Sequence, residues 1–246
     1  MIMALKTVIA SGKGGVGKST VCKGLAIKLG EAGKKTLIAD CDAGLSSQDI
    51  MLGVSEKINF TWYDAVSGRC EIKDALTEIN ESVYLLPSPP PPVNEDCNEK
   101  FCEIISSLEE EFDIILLDAP AGIGRGLLRA VNAASEALIV ATADEVSVKG
   151  AAKVNEVLEE NGITQSRLLI NRYDIKAAKK GRLLTVDELI DKTLVRLIGI
   201  VPEDKNIMYS TVSEKKLKTN KSSGAFSRIA KRMLGENVEL TLSQLK

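Results

Sequence analysis

The chain of 246 residues contains no histidine. That absence removes serine-histidine and cysteine-histidine nucleophilic catalysis, histidine acid-base work and most zinc enzymes, so any chemistry falls to carboxylates, lysines and a metal ion. Cysteine is scarce: Cys22, Cys41, Cys70, Cys97 and Cys102 include no C-x-x-C pair. An odd total does not close into a complete disulfide framework, so reduced, buried or incidental thiols are expected. An excess of one charge is also missing, with 32 Lys and Arg against 34 Asp and Glu, so the chain as a whole is not a polycation built for nucleic acid. No apolar run approaches the length of a membrane span. Met1 to Ala10 carries Lys6 inside its apolar stretch and reads as a strand rather than a secretory signal. Together these absences predict a cytoplasmic protein. Proline is rare except in Pro87-Ser88-Pro89-Pro90-Pro91-Pro92, which reads as a stiff connector after a strand, with a polyproline ligand as the alternative.

The hydrophobic fraction of 44% suffices for one large core. We expect a single domain over 1–246, with its core over about residues 5–235 and a short tail at 236–246. Short apolar runs alternate with helical segments. Strands are expected at 7–10, 36–39, 83–86, 114–117, 137–142, 168–171 and 197–201, apolar nearly throughout, as strands covered on both faces are. Helices are expected at 19–32, 101–111, 124–135, 147–161, 186–193 and 223–234, the first ending at Gly33. The pattern predicts an α/β fold, a doubly wound and mostly parallel sheet with helices on both faces and ligands at the carboxyl ends of the strands.

Between the first strand and first helix stands Ser11-Gly12-Lys13-Gly14-Gly15-Val16-Gly17-Lys18-Ser19-Thr20. It fits G-x-x-x-x-G-K-[ST], in which glycines let backbone N–H groups curl around phosphates and the helix N-terminus adds a favourable dipole. Gly12, Gly14, Gly15, Val16, Gly17 and Thr20 are therefore assigned to the phosphate cradle. Lys18 is expected to neutralise the β- and γ-phosphates, and Ser19 to hold Mg²⁺. Lys13 is a second lysine that an ordinary loop of this kind lacks.

Two further strands run into acids. Ile114-Ile115-Leu116-Leu117-Asp118 places Asp118 at a strand tip, where it would bind the metal through water. The segment Ala119-Pro120-Ala121-Gly122-Ile123-Gly124 follows, and its N–H groups, Gly122 included, are candidates for sensing a γ-phosphate. Ala39-Asp40-Cys41-Asp42-Ala43-Gly44 offers two more carboxylates. Asp42, further out, is the favoured residue for orienting or deprotonating the attacking water, and Asp40 is placed in the metal's outer shell, with a helix cap or surface turn as the alternative for either. Asn171-Arg172 ends another core strand, where the amide would read adenine N6 and N7.

In this order, Lys13 to Thr20, Asp40 to Leu45 and Leu117 to Gly122 resemble the MinD/ParA family of deviant Walker A ATPases, and the MinD branch looks nearest. Leu168 to Tyr173, Leu184 to Leu189 and Gly199 to Asp204 look like its later landmarks, so the resemblance spans about residues 5–235. It implies a P-loop ATPase that takes ATP and Mg²⁺, with Asn171, Arg172, Pro202, Glu203 and Asp204 near the nucleotide. It also implies an ATP-dependent homodimer in which Lys13 reaches the partner's phosphates, coupling hydrolysis to dimerisation much as an arginine finger does. The family further implies a regulator of division-site placement that meets a membrane, a division inhibitor and an ATPase-stimulating protein.

One departure is relevant. Relatives end in a basic amphipathic membrane helix, whereas after Arg232 this tail holds one cation, Lys246, against Glu236 and Glu239, which weakens the expectation of anchoring. Upstream, Lys205, Lys215, Lys216, Lys218 and Lys221 with Arg228, Lys231 and Arg232 form a basic cluster suited to DNA phosphates or anionic headgroups. The alternatives are a partition ATPase that binds DNA non-specifically, an iron–sulfur carrier on the same fold, and a regulator of flagellar number or placement.

Overall fold

Successive residues of the central strands enter two different cores, which is why these strands lack any polar alternation. Val8 and Ala10, Leu37 and Ala39, and Ile115 and Leu117 face one core, while Ile9, Ile38 and Leu116 face the other. The computed structural model describes residues 3–43, 47–91, 93, 97–204 and 221–240. Gly44 and Leu45, Pro92, the lysines at 205, 215, 216 and 218, the side chain of Lys221 and the tail at 241–246 lie outside the described residues.

One sheet of eight strands runs in the order β3 (Thr77–Asn80), β4 (Val83–Leu86), β2 (Thr36–Asp40), β5 (Ile114–Asp118), β1 (Leu5–Ala10), β6 (Glu136–Ala141), β7 (Ser166–Tyr173) and β8 (Leu197–Pro202). Every pairing is parallel except β3 with β4. From β1 the chain crosses to β2 on one side, whereas β5 returns to β6 on the other. The loops at the tip of β1 therefore diverge, leaving the crevice in which doubly wound sheets bind ligands.

The first core is closed by α4 (Asn98–Ser107), α5 (Arg125–Asn132), α6 (Glu145–Glu160) and α8 (Val186–Thr193), through Phe101, Ile105, Leu127, Val148, Leu158 and Leu189. The second is closed by α1 (Lys18–Glu31) and α9 (Lys221–Met233), through Val21, Leu25, Leu29, Phe226 and Ile229. Gly24 and Gly30 inside α1 each cost about 1 kcal/mol of helix propensity. Burial of Val21, Leu25 and Leu29 outweighs that, at roughly 1.5–3 kcal/mol apiece. Gly24 also admits the Phe226 ring, which a Cβ there would meet at 2.7 Å. No helix among the described residues is long and apolar enough to cross a membrane.

The seven expected strands are all present, each boundary within two residues. The sequence reading missed β3, a short antiparallel edge whose polar residues carry no core signal; the β3–β4 turn is held by Asn80 Oδ1, which accepts from the N–H groups of Ser82 and Val83. It also missed α2 (Gln48–Leu52), α3 (Trp62–Val66) and α7 (Ile175–Lys179), each too short to show a helical period. The proline run is a connector, since Pro87, Ser88 and Pro89 are buried and the Pro87 carbonyl accepts from the N–H of Trp62.

Candidate nucleotide and metal site

The phosphate loop leaves β1 and enters α1 through two left-handed glycines, Gly15 at φ 76° and Gly17 at φ 89°. The first turn of α1 has no side-chain cap and no acid, so its N–H groups are left for an anion. A Cβ on Gly14 or Gly15 would meet nothing within 4 Å, whereas one on Gly17 would lie 2.5 Å from Asn171 Nδ2. The cradle is thus open in front and closed behind. Gly12 crosses Gly150 of α6 so closely that a Cβ would stand 2.2 Å from its carbonyl oxygen.

The closure behind is the work of Asn171 and Arg172. Asn171 Nδ2 donates to the Val16 carbonyl at 2.7 Å, and Arg172 Nη1 donates to the Gly15 carbonyl at 3.1 Å. In a trans peptide C=O and N–H point in opposite directions, so fixing these two carbonyls toward β7 turns the N–H groups of Val16 and Gly17 the other way. Besides the adenine contact expected of the Asn171 amide, the pair thus holds the phosphate loop. One amide proton of Asn171 is committed to the loop, and its second proton and Oδ1 remain for a base. Pro202, Glu203 and Asp204 stand beside them at the tip of β8, where the N–H of Glu203 bonds the Tyr173 carbonyl and Ser222 Oγ donates to Asp204 Oδ2.

Asp40 and Asp118 are register partners at the tips of β2 and β5, both buried. Lys18, itself buried, brings Nζ to 3.6 Å from Asp118 Oδ1, an ion pair too long for a hydrogen bond. Burial, and then the neighbouring Asp118 carboxylate, push Asp40 up to about 7 against the backbone hydrogen bonds from Asp42 and Gln48. Asp118 Oδ1 is buried without a hydrogen-bond donor among the described residues. Two buried carboxylates with one lysine call for further positive charge, and Gln48 Nε2 links the carbonyl of half-buried Ser19 to Asp118, so the donor set fits Mg²⁺. Asp42 is half-buried just beyond, its N–H on Asp40 Oδ1 at 3.0 Å and its carbonyl accepting from Ser88 Oγ at 3.2 Å. Thr20, also half-buried, follows Ser19 in the first turn of α1.

Lys13 turns away from this corner. Its Nζ bonds Asp144 Oδ1 at 3.0 Å, with the two side chains 42% and 38% exposed. Asp144 is the N-cap of α6, accepting also from the Ser147 N–H and from Thr142 Oγ1 at 2.6 Å. Burial tends to raise the Asp144 carboxyl, but the hydrogen bonds from Thr142, Lys13 and Ser147 prevail and hold it below its ordinary value. The Gly122 N–H donates to the Ser11 carbonyl at 2.9 Å and ties the segment after β5 to the phosphate loop.

Sequence reasoning missed three participants. Asp144 carried a visible signal, an Asp before a helical run with Ser three residues on. Gln48, whose amide bonds Asp118 Oδ2 at 2.7 Å, and Trp62, whose Nε1 bonds the Asp40 carbonyl at 3.0 Å, carried none.

A family model described as an AAA domain matches residues 5–170. The septum site-determining protein MinD of Synechocystis is 35% identical over 240 residues, 94% of this chain and 90% of that protein. The chain belongs to the MinD family. Among solved structures, the MinC:MinD cell division protein complex of Aquifex aeolicus has a chain that superposes with a TM-score of 0.87 at 31% identity, covering 97% of this chain and 98% of that one. MinD of Pyrococcus horikoshii, solved with Mg-ADP, gives 0.82 at 29%, covering 96% and 100%. This MinD-family chain therefore carries the eight-stranded sheet and phosphate loop in the setting of an ATPase family.

Proposed function

We propose that this MinD-family chain is a Mg²⁺-dependent ATPase that dimerises with ATP, acts in division-site placement and is reset by hydrolysis. The observation that carries the reading is the corner where Lys18, Asp118 and Asp40 meet beneath an open phosphate loop while Lys13 stays outside it. The N–H groups of the loop and of the α1 start bind the phosphates, and Lys18 neutralises them. Ser19, Asp40 and Asp118 are the groups to hold Mg²⁺, which supplies charge neutralisation at the β- and γ-phosphates. Asp42 orients the attacking water from the rim. Asn171, with Arg172, Pro202, Glu203 and Asp204, forms the base side.

Lys13, held by an exposed carboxylate of its own chain, is free to exchange that partner for the phosphates of a second copy. Ile123 and Val146, 49% and 68% exposed, sit on the loops after β5 and at the start of α6, at the same end of the sheet as Lys13. A second copy docked over the nucleotide would cover them. The division inhibitor is one partner class, since MinD of Aquifex aeolicus was solved with MinC. An ATPase-stimulating protein and an anionic membrane face are the others, which places the protein in the cytoplasm and peripherally on the membrane.

The reading is tested with Asp42→Ala, which should still bind ATP and dimerise but hydrolyse at least about tenfold more slowly. Anionic vesicles should sediment wild type and variant with ATP and neither with ADP. Unchanged turnover moves the water-orienting role to another acid. Capture by duplex DNA with ATP, while vesicles are ignored, replaces division-site placement with partition.

A further inference from the structure

Gln48 is fully buried, at 0% exposure, although an unpartnered amide is costly to bury. It reaches three parts of the metal corner. Nε2 donates to Asp118 Oδ2 at 2.7 Å and to the Ser19 carbonyl at 3.1 Å, and the backbone N–H faces Asp40 Oδ2 at 3.4 Å. An apolar residue of the same size would make neither side-chain bond. Among the described residues, two buried oxygens of the same corner lack donors, Gln48 Oε1 and Asp118 Oδ1. Such a buried orphan is costly, and both are acceptors. A ligand that satisfies them must bring protons and positive charge together, which is what a hydrated divalent cation presents.

We propose that Gln48 is a positioning residue of the Mg²⁺ site: its amide N–H groups fix Asp118 against the start of α1, and its Oε1 accepts from a metal-bound water. The proposal rests on the Mg²⁺-nucleotide reading above. Outer partners of this kind orient the carboxylates that meet the metal, and their loss typically lowers metal affinity 10- to 100-fold.

The test is a Mg²⁺ titration of the ADP-bound protein, read by the fluorescence of Trp62, which bonds the Asp40 carbonyl. It is run on wild type, Gln48→Leu and Gln48→Glu, with ADP affinity in EDTA measured by calorimetry. Gln48→Leu should lose about tenfold or more in Mg²⁺ affinity and keep ADP affinity in EDTA within about twofold. Gln48→Glu gives up the N–H bonds to Asp118 and Ser19 but keeps an acceptor and adds negative charge, so it should lose less Mg²⁺ affinity than Gln48→Leu. Both variants should lower the thermal midpoint of the Mg²⁺-free protein, because both take a donor from Asp118. A merely packing role moves Mg²⁺ affinity the same way in both. Wild-type Mg²⁺ affinity in Gln48→Leu, or equal losses in the two, overturns the proposal. If Gln48→Leu does not fold, Gln48→Glu alone decides, with a loss of about tenfold or more in Mg²⁺ affinity as the contradicting result. Failure of Mg²⁺ to strengthen ADP binding in the wild type would instead overturn the reading of the site itself.

Discussion

Arg172 holds φ at 56°, a left-handed conformation that costs a non-glycine residue roughly 1–2 kcal/mol. The strain coincides with a register shift between β7 and β8 and with the guanidinium's bond to Gly15, so it is stored where the phosphate loop is held. Arg172→Gly removes strain and bond together. Its stability should stay within about 1 kcal/mol of wild type, since relief of strain offsets the lost hydrogen bond, while nucleotide affinity by calorimetry falls about tenfold. Unchanged affinity would show that the loop needs no such clamp. Asp40 gives a pH dependence. The unfolded chain releases this proton near 3.8 and the folded chain keeps it to about 7. Its contribution to stability is therefore complete below pH 4 and is lost as pH rises to about 7. In EDTA, the melting temperature of Asp40→Asn should gain on that of wild type between about pH 4 and pH 7, where the unfolded chain has released a proton that the folded chain still holds, and the gain should level off above pH 7. A difference independent of pH would contradict the raised Asp40 value.

At the scale of elements, the sequence made legible whatever rests on apolar runs and on strand tips. Ile114 to Leu117 and Leu37 to Ala39 announce covered parallel strands, and the acids that close those runs, Asp118 and Asp40, prove to be register partners. What stayed hidden depends on groups brought together from afar. Gln48 is 70 residues from Asp118, on a helix of five residues, and nothing in its neighbours marks it as the amide that meets a buried acid. The commitments of Asn171 and Gly122 to the loop's own carbonyls are likewise tertiary facts. At the head of α6, Asp144 caps the helix and holds Lys13 at once. Asp144→Asn keeps a good cap and removes the charge, so thermal stability should change by less than about 0.5 kcal/mol. Lys13 is released, and the protein concentration needed for ATP-induced dimerisation should fall, by no more than about thirtyfold because each of the two copies gives up an exposed ion pair worth up to ~1 kcal/mol. Light scattering at graded concentrations measures this, and an unchanged dimerisation midpoint would show that the pair does not restrain Lys13.

For the whole molecule, the topology places every element of the proposed switch at one end of the sheet: the phosphate loop after β1, the acids of β2 and β5, the segment of Ile123, the head of α6 and the Asn171-Arg172 clamp of β7. A ligand bound there touches segments from both halves of the fold, and the face it leaves exposed carries Lys13 and apolar residues. The central claim is that the two lysines of one loop serve different copies of the chain. Nucleotide titration by calorimetry, beside light scattering with ADP and ATP, on Lys13→Ala and Lys18→Ala tests it most directly. Lys18→Ala should lose ATP affinity outright, through a missing charge-assisted contact within its own chain. Lys13→Ala should bind nucleotide as a monomer near wild type and lose ATP-induced dimerisation and hydrolysis together. A Lys13→Ala protein that still dimerises with ATP and turns it over normally would contradict the account.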